Sequence, residues 1–311
     1  MTDASTGMTT AATAEAAEPS ARRRTARRAW RSLLRARWPV LAMLILAIVG
    51  LAAAFGPSFA PRDPNRQAIM ARLKPPMAVD RQGKVDYVLG TDALGRDVLS
   101  RLIYGARISV VVGLAAVVIG GILGTVLGLV AGYFGGWIDD LIMRIADIQL
   151  AFPFVLLAIM FLIVLGPGVW NLIIILGIGQ WVTYARIARG QTIAQREKEY
   201  VDAVKALGAR TSTILFQTIL PNILAPLTVI ASFNVASVIL SEAALSFLGL
   251  GVPPTVPTWG GMLAESRDQL LAGRWWLAIF PGVAIMATVL SFNILGDWLR
   301  DFLDPRLQTT G

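Results

Sequence analysis

The chain has 311 residues, 55% of them hydrophobic and 15% charged, with a net charge of +8, a mean hydropathy of +0.63 and no cysteine or histidine. Soluble domains carry about 25% charged residues, so this chain lacks the surface of a water-exposed fold, and its apolar residues fall in long blocks. Disulfides, thiol nucleophiles, Ser-His-Asp triads and His- or Cys-based metal centres are excluded, and the clustered arginines do not form the spread surface that nucleic acid would require.

Residues 1–20 are mainly Ala, Thr, Ser and Glu, followed by Arg22, Arg23, Arg24, Arg27, Arg28, Arg31, Arg35 and Arg37. This composition predicts a disordered cytoplasmic tail, 1–37, ending in a positive-inside anchor. Ala52-Ala53-Ala54 imitates a signal-peptidase site, but the apolar run before it is too long and starts too late for a secretory signal. Six stretches approach the ~20 apolar residues a membrane-spanning helix needs: Trp38–Phe55, Ile108–Tyr133, Ile148–Leu165, Val169–Ala188, Ile223–Leu250 and Trp276–Leu299. Pro153, Pro226 and Pro281 inside them are tolerable in a membrane bundle. The expected fold is an all-α integral membrane protein. It comprises a first helix at 38–56, an external loop at 57–107, a five-helix core at 108–299 and a tail at 300–311. With the N-terminus inside, both termini are cytoplasmic and 17 of the 28 Lys and Arg lie on that side. Nine of the remainder lie in the 57–107 loop among five acids, near the length at which loop charge stops deciding topology.

Along the loop, Leu89-GTDALGRDVLSRLIYGARIS reads as a Gly-rich turn and a short amphipathic helix, with Val98, Leu99, Leu102 and Ile103 on one side. Asp97 and Arg101 stand at i,i+4, where they can pair. In span two, Gly120, Gly124, Gly128 and Gly132 form a bare stripe against which another helix can pack. Gln180, Asn234 and Asn293 are expected to hydrogen-bond between helices.

Between spans four and five, the segment 189–222 is too long for a turn. Tyr200, Ala203, Val204 and Leu207 recur at i, i+3, i+4 and i+7, with Glu199, Asp202 and Lys205 opposite. Gly208 follows where a helix end needs a left-handed residue. A second apolar stretch (Ile214, Leu215, Ile219, Leu220) leads to Pro221, which should start span five. This is a helix-turn-helix at the membrane surface, either lying on lipid or gripped by a partner. Glu242 is the ionisable residue well inside a span, and so a candidate for gating, for the pathway or for proton coupling. Trp259, Trp275 and Trp276 suit an outer aromatic belt. No G-x-x-x-x-G-K-[ST] loop occurs, so energy must come from a partner or an ion gradient.

The 199–221 segment resembles the EAA loop of ABC-importer permeases: E-A-A, three residues, Gly, nine residues, I-x-L-P. Asp202-Ala203-Val204, Gly208 and Leu220-Pro221 fall at those spacings, with Asp202 for Glu, Val204 for the second Ala and Thr218 for Ile. The 89–109 block and Ser241-EAALSFLGLGVPPTVPTWGGML are similar to signatures of the oligopeptide/dipeptide/nickel branch and its C-type member, the likeness covering roughly 85–305. The resemblance implies a permease that binds no cofactor itself and is paired with a homologous second permease. It also implies two cytoplasmic ATPases using ATP and Mg, and an external solute-binding protein. Tyr200, Asp202, Ala203, Val204, Leu207, Gly208, Leu220 and Pro221 would then form the ATPase-coupling element. The alternative is a gradient-driven secondary transporter that uses Glu242.

Overall fold

The computed structural model describes residues 37–79, 83 and 85–303, so the Arg-rich tail and residues 304–311 lie outside the described residues. The chain runs α1 (Arg37–Phe59), a two-stranded hairpin β1 (Ala78–Val79) and β2 (Val85–Tyr87), α2 (Val98–Phe134), α3 (Gly136–Leu150) and α4 (Phe154–Leu165). It continues with α5 (Val169–Arg196), α6 (Glu199–Ala206), α7 (Leu220–Phe247), α8 (Trp259–Leu270) and α9 (Trp276–Leu303). Among the described residues, five helices are long and apolar enough to cross a membrane, or six spans if the bent pair α3–α4 counts as one.

That pair corrects the expected straight helix Ile148–Leu165. α3 ends at Leu150, and α4 restarts after Pro153 at 87° to it. Proline has no amide and disfavours helical geometry in the residue before it, so Phe152-Pro153 ends the first segment. The two halves together run from one end of α5 to the other. Asp139 near the start of α3 pairs with Arg189 near the end of α5, at 2.5 Å. At the other end, Asn171 in the first turn of α5 donates to the Leu165 carbonyl at 3.0 Å.

Two other helices are longer than expected. The short helix placed in the 57–107 loop is the first part of α2, which starts at Val98 and runs unbroken to Phe134. Asp97 accepts a hydrogen bond from Ser100 N as the N-cap, the role a short carboxylate fills best at that position. Likewise the 214–220 stretch is not a separate helix before a start at Pro221. A continuous helix begins at Thr211 and runs through a π-helical segment, Ile214–Ile219, into α7. Pro221 lacks a donor and would clash with the carbonyl four residues earlier, and the wider π turn relieves both problems.

The tightest seam joins α2 and α5, which run parallel. Gly120, Gly124, Gly128 and Gly132 face Gly177, Trp181, Ala185 and Arg189, advancing by four on both helices. A Cβ on Gly120 would stand 2.5 Å from the Gly177 carbonyl oxygen. Removing the side chains lets the two backbones touch, which is the main source of helix attraction where lipid is as apolar as the helix surface. α6 and the α2 C-terminus lie at one end of the bundle. The hairpin, the α2 N-terminus and α8 lie at the other.

Candidate functional site

α6 is a short helix built to keep its shape. Glu199 and Asp202 sit in its first turn and Lys205 in its last, matching the helix dipole. Gly208 has φ +78°. Its amide donates to the Lys205 carbonyl at 2.9 Å and the Ala209 amide to Val204 at 3.3 Å, closing a Schellman turn. Val201 is fully buried and shares an apolar cluster with Ile214, Leu215 and Ile219, with Val204 packed against that cluster. Of the expected apolar face, Val204 is half-buried, whereas Tyr200 is 39% and Leu207 86% exposed, with Asp202 and Ala203 exposed too. Leu220 is half-buried and Pro221 exposed. Sequence spacing missed Val201 because 200/203/207 and 201/204 are adjacent stripes on one small helix, and only packing tells them apart. Beneath α6, Arg189 clamps Asp139 with two bonds of 2.5 and 2.6 Å. Arg196 caps the α2 C-terminus through the Gly132 and Tyr133 carbonyls.

At the opposite end, Arg101 does not pair with Asp97, whose carboxylate already holds the Ser100 amide at 2.8 Å and hydroxyl at 2.6 Å. Its guanidinium instead bonds Asp92 at 2.6 Å and Glu265 of α8 at 2.5 Å, and Arg96 bonds the same two acids at 2.6 Å each. The four charges cancel, and the two arginine side chains are almost fully buried. Glu265, 164 residues from Arg101, carries no signal in the sequence beyond being an acid on a short helix. Arg101→Ala should destabilise the protein by about 3 kcal/mol, because it leaves the buried Asp92 and the half-buried Glu265 to share Arg96 alone. Arg186→Ala, in an exposed pair with Asp147, should cost about 0–1 kcal/mol. Thermal unfolding in detergent compares the two.

The tryptophans are corrected too. Trp259 is buried and donates through Nε1 to the Leu102 carbonyl at 3.0 Å, and Trp276 donates to Thr91 at 3.3 Å. Only Trp275 of the three is substantially exposed. The buried pair fasten the 89–102 segment to α8 and α9, because an indole can pack as an apolar body while satisfying one polar group.

In the hairpin, a hydrogen bond from Arg62 at 2.5 Å holds the Asp86 carboxyl below its ordinary value, with Lys74 adding to the effect. A lowered native pKa stabilises fully above the unfolded value and is lost as pH falls through the native one. Protease resistance of this loop should therefore hold from pH 7 to 5 and decline only below about pH 4. Asp86→Asn should flatten that response.

Glu242 lies fully buried in α7. It accepts from Ser246 Oγ at 2.7 Å and Ser109 Oγ of α2 at 3.2 Å, with no cation paired to it among the described residues. Ser109 also lies 3.5 Å from the Trp259 amide of α8. The carboxyl therefore joins three helices instead of meeting water or a loop arginine. The Gln180 and Asn293 side chains make no hydrogen bond among the described residues, and Asn234 stands beside Tyr184 with its side-chain amide nitrogen unpaired. Gln149 makes an interhelical polar contact instead: it accepts from Trp181 Nε1 at 2.8 Å and donates to Gly179 O at 3.2 Å. Among the described residues no group of three or more Asp or Glu is placed to hold a metal ion.

Residues 124–309 match the profile of the binding-protein-dependent transport system inner membrane component, and residues 25–76 that of the N-terminal transmembrane domain of oligopeptide transport permease C. The likeness thus extends into the tail and the 57–84 region, beyond the roughly 85–305 expected from motifs. The chain is 41% identical over 279 residues to the di/tripeptide transport system permease protein DppC of Pseudomonas aeruginosa, covering 90% of this chain and 91% of that one. It is 43% identical over 279 residues to the dipeptide transport system permease protein DppC of Escherichia coli (90% and 92%). To the Bacillus subtilis protein of that name it is 39% identical over 280 residues (90% and 85%).

Proposed function

This chain belongs to the family of binding-protein-dependent transport inner membrane components, as a permease subunit of an ABC importer and not an enzyme, and we propose that it carries short peptides inward. The relatives named for dipeptides and di/tripeptides support that substrate class over a nickel complex. The α6 end is cytoplasmic in this reading, because it gathers Arg186, Arg189, Arg196, Lys198, Lys205 and Arg210, and cytoplasmic loops concentrate such residues. Both chain termini then face the cytoplasm, and the hairpin and α8 face outward, towards a solute-binding protein.

The single observation that carries the mechanism is α6, a capped helix anchored by Val201 with Tyr200, Ala203 and Leu207 turned outward. An exposed apolar stripe on a rigid, buried-root helix suits a groove on a cytoplasmic ATPase. Asp202 stands beside that stripe, Val204 and Leu220 root the element, and Gly208 and Pro221 shape its turn and exit. A homologous second permease would present the same kind of handle to a second ATPase. ATP and Mg, bound between the ATPases, would draw the two handles together and turn the path outward. Hydrolysis would release them and return it inward, so that each state is favoured by its own partner contacts. A gradient-driven carrier is disfavoured, since Glu242 is enclosed by serines without access to water.

Purification of the tagged chain from its native membrane in mild detergent tests the assembly. The expected result is co-purification of a second permease and of ATPases bearing a phosphate-binding loop. Recovery of the chain alone, under conditions that keep other ABC complexes intact, would overturn it.

A further inference from the structure

α7 changes character along its length. In its outer half it packs tightly on α2: a Cβ on Gly113 would stand 2.9 Å from Ile239 and 3.6 Å from Val235. Towards α6 the two helices part around an apolar cleft of about 350 Å³. Val118 and Ile122 of α2 line one wall, Phe216, Leu224 and Thr228 the other, and Tyr184 of α5 lies between them.

The two walls differ in stiffness. α2 is held to α5 by the glycine seam and by Arg196 on its last carbonyls. The opposite wall is built from irregular helix. Ile214–Ile219 is π-helical, and Pro221 and Pro226 withhold two amides from the ladder that follows. A π segment inside an α-helix is uncommon and occurs frequently at functional sites. α6 packs directly on this segment, with Val201 as its buried root. Two polar groups beside the cleft are also unsatisfied. The Tyr184 hydroxyl and the Asn234 side-chain amide nitrogen are buried without a hydrogen-bond partner among the described residues. Buried polar groups are rarely left so, and each such case calls for a physical cause.

We propose that the cleft is a closing volume: when α6 is pulled, the inner part of α7 swings on its π turn and prolines and shuts against α2, while the Gly113–Ile239 contact stays fixed as the fulcrum. This rests on the importer reading and names the part of the permease that the α6 handle moves. Within a membrane, helix contact is rewarded by close packing, so the closed arrangement gains contacts along the cleft and the open one forgoes them. A small rotation near the fulcrum would also let Asn234 reach the Tyr184 hydroxyl. The contacts that α6 makes with its ATPase then decide which arrangement is populated.

The absence of cysteine allows disulfides to report the cleft. Ile122→Cys with Leu224→Cys spans it, and Gly113→Cys with Ile239→Cys spans the fulcrum, where losing the isoleucine branches makes room for the new thiol. Each pair is placed in the complete transporter in lipid nanodiscs. It is oxidised with copper phenanthroline, either free of nucleotide or trapped with ATP and vanadate. A disulfide needs Cα atoms within about 7 Å, so its yield follows the width of the cleft. The yield across the cleft should differ at least about fivefold between the two states, and that across the fulcrum should not change. Oxidation of the cleft pair should also stop uptake, and reduction should restore it. Equal yields across the cleft in both states overturn the proposal, whether a helix of the second permease, lipid or nothing fills it. Yields that change alike at both positions mean that α7 moves as one rigid rod, and overturn the joint. If the reduced Ile122→Cys and Leu224→Cys complex does not import, Val118→Cys with Thr228→Cys is measured against the same outcomes. Any of these failures in a complex that retains its ATPases leaves the importer reading standing, whereas a chain recovered without ATPases overturns both.

Discussion

Gly208→Val is expected to abolish ATP-driven peptide uptake while the protein still inserts and assembles. A Cβ at Gly208 would meet nothing within 4 Å, so space is not the obstacle. The backbone is. At φ +78° an L-residue pays roughly 1–2 kcal/mol, and a β-branched one is a genuine outlier there. Valine should reopen the Schellman turn, freeing the Lys205 and Val204 carbonyls, and change the angle at which α6 leaves the chain. The interior contacts of the bundle are untouched, which is why assembly should survive. Gly208→Asn should retain most uptake, because asparagine tolerates the left-handed region. Uptake into proteoliposomes with internal or external ATP, beside size-exclusion profiles of the complex, separates coupling from folding. Normal transport by the valine variant would remove α6 from the coupling path.

Gly128→Leu is expected to prevent accumulation of folded protein altogether. Its Cβ would strike the Ala185 carbonyl and come within 2.7 Å of the Ala188 Cβ, and neither backbone can retreat without separating α2 from α5. Overpacking a well-filled core costs about 1–3 kcal/mol for extra methylenes alone, and here the whole glycine seam is forced apart. Gly190→Leu is the control. That glycine is exposed on α5 with nothing within 4 Å of its Cβ position, and leucine raises helix propensity by close to 1 kcal/mol over glycine. Its membrane yield should equal or exceed that of the parent, read as the monodisperse peak of a fluorescent fusion. Equal yields for both variants would mean that the α2–α5 contact does not support the fold.

Much of this was legible in one dimension. Spans one, four and six follow from apolar length, since a bilayer demands about 20 residues of it. The glycine stripe announced a close helix partner through its spacing of four. The α6 turn was visible because glycine alone occupies its backbone conformation freely. Less could be read where one residue type serves two roles. Asp97 and Arg101 have the spacing of an ion pair, but a carboxylate at a helix start competes for amides, and Ser100 wins it. Tryptophan near a span end suits a lipid interface or a packed joint, and Trp259 turned out to be the second.

Hydropathy, charge and spacing thus determined the membrane class, the order of the spans and the presence of a capped surface helix. These depend on local free energies of transfer and of backbone conformation, which each segment carries by itself. The tertiary structure decided which partner each polar group takes: Arg101 with Glu265, Glu242 with two serines, Val201 rather than Leu207 as the root of α6. It also decided that the third span breaks while the second and fifth are extended. Those outcomes depend on contacts between residues far apart in the chain, or on whether a proline is absorbed by a π turn or ends a helix. Only the assembled packing supplies that information.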